Sequence, residues 1–180
     1  MGGYSLWLRS EDKNNKILES LITHLCAQNG ETPFTPHVTL AGEFEGEVEQ
    51  LKEKAQQLAD QFHTELFIPI DSIQNGHSRF QCIYLVCRQV SQLMELGNAS
   101  RLSYGVGQGQ EYFPHLSLLY SKTMPESTRE HIVKELLDST EIALIKKNGI
   151  IMSTIELWDT HSDNEGEWSC VTAFPLRLRE

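Results

Sequence analysis

The chain has 180 residues, 39% of them hydrophobic and 22% charged, with a formal net charge of −10. That length suffices for one domain that buries about 70% of its unfolded surface, and the composition is that of an ordinary globular protein. The negative balance works against long nucleic acid, which is held by many Lys and Arg contacts to phosphate, and against an acidic membrane surface; a small phosphate compound needs one local site and stays allowed.

Tyr4 to Arg9 alternates and predicts a strand. No basic segment with an apolar stretch precedes it, so no secretory signal is expected. Over residues 13–28, Ile17, Leu18, Leu21, Ile22 and Leu25 form the stripe of an amphipathic helix stopped at Asn29-Gly30. His37 to Ala41 predicts a short strand behind Pro36. Residues 46–62 predict a helix with Val48, Leu51, Ala55, Leu58, Ala59 and Phe62 on one side. Leu66 to Ile73 alternates as a strand, and Asn75-Gly76-His77-Ser78 is a turn.

Phe80 to Val86 then predicts a strand, and residues 89–103 a helix with Val90, Leu93, Met94, Leu96 and Leu102 inward. Gly105, Gly107 and Gly109 lack the strand-to-helix setting of a nucleotide fingerprint. They read as a mobile loop able to cover a cleft. His115 to Tyr120 is a short strand behind Pro114, and Pro125 opens a helix through Leu137. Ile142–Ile145, Gly149–Leu157 and Trp168–Leu178 read as β, with Lys146-Lys147 at a solvated hairpin turn. His161 lies in a polar turn. No apolar run reaches the roughly 20 residues that span a bilayer. Cys26, Cys82, Cys87 and Cys170 fit no zinc spacing and are expected to be reduced, in a cytoplasmic setting.

The order strand, helix, strand, helix, strand occurs twice. Residues 1–180 therefore read as one domain of two pseudo-symmetric lobes, about 1–78 and about 79–180. Each half holds the same frame: Pro36-His37-Val38-Thr39-Leu40 and Pro114-His115-Leu116-Ser117-Leu118. In a strand, residues i and i+2 share a face. His37 thus projects with Thr39, and His115 with Ser117, while the apolar residues between them anchor the other face.

Across a cleft, two such pairs suit in-line hydrolysis of a cyclic phosphate. One neutral imidazole can take a proton from water while a protonated one gives a proton to the leaving oxygen. The hydroxyls of Thr39 and Ser117 can donate to the non-bridging oxygens. The arrangement calls for no metal and no cofactor. Of the seven histidines, only these two carry a hydroxyl two residues on.

His-Val-Thr-Leu and His-Leu-Ser-Leu resemble the paired signatures of the two-histidine (2H) phosphoesterase superfamily. Tyr112-Phe113-Pro114-His115-Leu116-Ser117-Leu118-Leu119-Tyr120 is similar to the second motif of the plant and fungal cyclic phosphodiesterases, and Phe80–Leu85 and Tyr4–Trp7 resemble their strands. The resemblance implies a bilobal α+β fold of two antiparallel-rich sheets with a central cleft and helices outside. It implies hydrolysis of ADP-ribose 1″,2″-cyclic phosphate to ADP-ribose 1″-phosphate, and of nucleoside 2′,3′-cyclic phosphates to 2′-phosphates, chemistry related to tRNA splicing. It makes His37 and His115 the acid–base pair, with His115 taken as base and His37 as acid, and Thr39 and Ser117 the phosphate ligands.

Trp7, Phe80 and Tyr120 match cleft-lining positions, where aromatics stack on a base or ribose. In a regular strand Tyr120 faces away from His115, so it needs a bulge or a strand end to turn inward. Cys82 and Cys87 stand five apart on one strand and do not bridge. The expected partner is a small cyclic phosphate bound by a monomer. The alternatives are a related enzyme of RNA cyclic ends or 2′-5′ linkages, and a non-catalytic nucleotide-binding module.

Overall fold

The computed structural model describes residues 3–10 and 13–176. The elements in chain order are β1 (Tyr4–Arg9), α1 (Lys13–Asn29), β2 (Val38–Phe44), α2 (Val48–Gln61), β3 (Leu66–Ile68), β4 (Ile70–Asn75), β5 (Ile83–Cys87), α3 (Ser91–Tyr104), β6 (His115–Leu119), α4 (Glu126–Leu137), α5 (Thr140–Asn148), β7 (Ile150–Met152), β8 (Thr154–Asp159) and β9 (Ser169–Pro175). The fold is α+β. A seven-stranded sheet runs in the order β4-β5-β6-β2-β1-β8-β9, and β3 and β7 form a small second sheet. Every pairing is antiparallel.

The alternation read from the sequence decides what each sheet face does. Leu6, Leu8, Val38, Leu40, Leu116, Leu118, Ile155 and Leu157 are at most 1% exposed. They join Leu18, Ile22, Leu51, Leu58, Leu93 and Leu96 of the helices in one core. Burying each such side chain stabilises by about 1.5–3 kcal/mol. The helices cross over: α1 packs on β6, and α3 packs on β2, so each half of the chain braces the histidine strand of the other. Pairing also runs across residue 78, since β4 pairs with β5, while β8 lies outside β1. The lobes at about 1–78 and 79–180 stay our proposal for the two sequence halves. Among the described residues no helix is long and apolar enough to cross a membrane.

Four expectations are corrected. Residues Ile142–Ile145 are helical, within α5, not β. The Ser139 side chain caps that helix by accepting from the Ile142 N–H at 3.2 Å, and Ile142 and Ile145, one turn apart, are both buried. Cap and burial together outweigh the β preference of isoleucine. Lys146 and Lys147 then sit in the last turn of α5, not in a hairpin, where cations suit the helix dipole. The expected strand from Leu66 to Ile73 is split at Pro69, which has no N–H to donate, so β3 and β4 enter different sheets. Phe80 lies in a 3-10 turn, Arg79–Gln81, and β5 starts only at Ile83. Arg177 and Leu178 of the expected last strand lie outside the described residues.

Gly97 lets α3 approach the segment before β6. A Cβ at Gly97 would stand 2.1 Å from the Tyr112 ring. Tyr112 is buried, and its hydroxyl donates to the Thr39 carbonyl at 3.0 Å. In an open helix Gly97→Ala would stabilise by about 1 kcal/mol. Here overpacking reverses the sign, with an expected net loss of roughly 1–3 kcal/mol. Urea unfolding followed by circular dichroism checks it, and a raised midpoint would contradict the close approach.

Candidate active site

Both histidines are held by the same backbone device. His37 Nδ1 lies 2.6 Å from the Thr35 carbonyl, and His115 Nδ1 lies 3.0 Å from the Phe113 carbonyl. In each case the acceptor is two residues upstream, across a proline whose fixed φ sets the bend. A carbonyl only accepts, so Nδ1 carries the proton in both rings and Nε2 is the nitrogen left to titrate.

β2 and β6 are neighbours, paired at Val38 and Leu116. Antiparallel register from that pair sets His37 across from Ser117 and Thr39 across from His115. The two imidazoles then occupy a diagonal, a separation of roughly 7–8 Å between strand positions. All four side chains line one cavity of about 320 Å³, and so do Trp7, Phe80 and Tyr120. The seven expected site residues are thus brought to one cavity.

The aromatics take different stations there. Trp7 is 1% exposed and stacks on His37 with ring centres 3.6 Å apart and planes within 3°. Its indole supports the imidazole, and its face is not open to a base. Tyr120 follows the last residue of β6, so the end of the strand turns its ring inward. It stacks on Phe34 at 3.7 Å. Phe80 is 38% exposed and offers an open ring to the cleft.

The two hydroxyls also differ. Among the described residues the Thr39 hydroxyl makes no hydrogen bond, which leaves it free to donate. Ser117 Oγ donates to the Phe80 carbonyl at 2.6 Å and must turn to reach an anion.

Burial sets the electrostatics. Loss of water around His37 holds it down to about 3, with Arg9 and His115 adding to the effect and the Thr35 carbonyl opposing it. His115 is also held below the usual histidine range by burial, against the pull of the Phe113 carbonyl. Both rings are therefore neutral at pH 7 in the free protein.

Other residues line the cavity without having stood out in the sequence. Trp168 and Ser162 come from the turn between β8 and β9, where the Trp168 indole donates to the Ser162 carbonyl at 2.8 Å. Arg79 also lines it, but donates to the Asp163 carbonyl at 2.8 Å and pairs with Glu165. Glu43, at φ 58°, sits where the β1–β2 register shifts. Such bulges re-aim side chains at the rims of sites. A polar turn with one tryptophan gives no periodic signal, which is why the sequence did not point to these positions. Gly105, Gly107 and Gly109 are not part of the lining. Gly105 is the left-handed cap of α3, at φ 72°, and the Arg101 side chain donates to the Gly107 carbonyl. Among the described residues no group of three or more His, Cys, Asp or Glu side chains gathers as metal ligands would.

The chain matches the model of the family described as cyclic phosphodiesterase-like protein over residues 1–173. It is 24% identical to the cyclic phosphodiesterase of Arabidopsis thaliana over 166 residues, 87% of this chain and 91% of that one. Its fold is similar to that of Escherichia coli LigT complexed with phosphate, with a TM-score of 0.60 and 16% identity over 98% of both chains. It is also similar to TT0787 of Thermus thermophilus, with a TM-score of 0.62 and 13% identity over 98% of this chain and 99% of that one.

Proposed function

The chain belongs to the cyclic phosphodiesterase-like family of the 2H phosphoesterases, and on that premise we propose that its cleft opens a small cyclic phosphate by hydrolysis, with His37 and His115 as the acid–base pair. The observation that carries this reading is the matched pair of imidazoles. Each is tied through Nδ1 to a backbone carbonyl, and both line one cavity.

In the proposed reaction a water oxygen bonds to phosphorus as the bond from phosphorus to one ring oxygen breaks. One Nε2 takes the water proton, and the other gives a proton to the departing ribose oxygen. Thr39, and Ser117 once it turns from Phe80, donate to the non-bridging oxygens as charge grows there. The substrates are nucleoside 2′,3′-cyclic phosphates, opened to 2′-phosphates, and ADP-ribose 1″,2″-cyclic phosphate, opened to ADP-ribose 1″-phosphate. Phe80 and Trp168 are the open rings for the base or ribose.

The free site holds no imidazolium at neutral pH, so the acid must be charged on binding. An anion about 4 Å from a histidine favours the protonated form by about 4 kcal/mol at an effective dielectric of about 20. That equals about 3 pKa units. His115 is partly exposed and His37 is buried, so His115 takes the proton first. We therefore assign His115 as acid and His37 as base, the reverse of the order taken from the sequence resemblance.

The test is product identification from a panel of cyclic phosphates in the presence of EDTA. Conversion of 2′,3′-cyclic AMP to 2′-AMP alone is the expected result. Release of 3′-AMP would overturn the assigned bond cleavage. Calorimetric binding with no turnover anywhere in the panel would make the chain a binding module.

A further inference from the structure

Beyond Trp7, on the same sheet face but outside the lining of the cavity, lies a buried carboxylate that the reaction above does not use. Glu156 stands on β8 directly across from Trp7 and is 7% exposed. Its Oε2 accepts from the Trp158 indole at 2.8 Å, and its Oε1 accepts from the Thr154 hydroxyl at 3.1 Å. Arg9 Nη1 lies 3.5 Å from the same Oε2.

Two lines of contact run from this carboxylate to His37. Trp158 stacks on Trp7 with ring centres 4.3 Å apart, and Trp7 stacks on the imidazole at 3.6 Å. Arg9 Nε donates to the Pro36 carbonyl at 3.2 Å, immediately before His37 in the chain. One line fixes the plane of the ring; the other fixes the backbone that carries it. Arg9 has a second acid, Glu19, at 4.0 Å, but Glu19 is half-exposed and its pull is screened by water. Glu156, Trp158 and Arg9 are not among the residues lining the cavity. Glu156 therefore reaches the cavity only through the residues it holds, Trp7 and His37.

We infer that Glu156 is a positioning residue: it holds the His37 imidazole in register with the cleft by anchoring Trp158 and Arg9 at once. The inference rests on the proposed role of His37. A ring displaced by about 1 Å from its reactive placement can lose 10²-fold in rate.

The experiment compares Glu156→Gln and Glu156→Leu with the wild type. It measures kcat and KM on 2′,3′-cyclic AMP and, in the free protein, the imidazole ring-proton resonances. The stack places the His37 ring protons in the ring current of Trp7, upfield of the usual imidazole position. Glu156→Leu removes both the acceptor and the charge. The His37 signals then move downfield while those of His115 stay, and kcat falls about 100-fold with KM within twofold. Glu156→Gln keeps an acceptor for the Trp158 indole and loses only the charge, so kcat falls about tenfold and the His37 signals move less.

A folded variant with unmoved His37 signals and unchanged kcat overturns the inference. Should the leucine variant fail to fold, the glutamine variant decides by the same criterion. An inactive wild type whose His37 signals still respond to Glu156 would remove the proposed function and leave the positioning contact standing. An active wild type with a silent His37 would do the opposite.

Discussion

Replacing His115 by Ala lowers kcat on 2′,3′-cyclic AMP by roughly 10²–10⁴-fold, and replacing His37 by Ala does the same. The factor corresponds to a loss of about 3–5 kcal/mol of transition-state stabilisation. Each variant keeps the fold, because His115 is partly exposed and His37 presents one edge to the cavity. The two losses separate on a different substrate. A ribose oxygen leaves poorly without a proton, whereas an aryl oxide leaves unaided. An aryl phosphodiester therefore restores most of the rate to His115→Ala, which lacks the proposed acid, and little to His37→Ala, which lacks the proposed base. Steady-state kinetics on the two substrates check this. Full activity of either variant on the cyclic nucleotide would remove the acid–base pair, and the opposite rescue pattern would exchange the roles.

Acid destabilises the wild type more than it destabilises His37→Gln. An unfolded histidine titrates near 6.5, and burial holds folded His37 down to about 3. Between these values the unfolded chain binds a proton that the folded chain refuses. Stability is therefore full above pH 6.5 and declines as pH falls, by up to about 1.4 kcal/mol per unit. From neutral pH down to pH 4 the loss from this one group is roughly 3 kcal/mol, a large share of the 5–15 kcal/mol typical of a domain. His115 shifts in the same direction and adds to the decline in both proteins. Carboxylates held low, such as Asp159, lose stability in acid alike in both, so they cancel in the comparison. Urea midpoints at pH 7 and pH 4.5 measure the difference. Parallel declines in the two proteins would mean that His37 is not buried neutral.

The strand alternation around His37 and His115 was readable because the period of a strand is two and the frame occurs twice. The core helices were readable because α1 and α2 carry strong apolar stripes. The misread α5 shows the limit: Ile-Ala-Leu-Ile has no polar phase, and only Ser139 and Gly149 mark the ends of a helix. Proline at 69 was a breaker that the surrounding alternation hid. Arg9 and Glu156 fell within expected strands and Trp158 one residue past the end of one, but alternation gives no partner. Which acid meets which base across three strands depends on register, and register is set by the fold as a whole.

The proline-carbonyl hold on each imidazole has one more consequence. A histidine backed by a carboxylate keeps a standing counter-charge for its cation; one backed by a peptide carbonyl has only a dipole. The resting imidazoles therefore carry no charge, and in the proposed reaction the cation arrives as a proton drawn in by the phosphate. On that proposal ligand binding and proton uptake become a single event, and the occupant itself switches the pocket on.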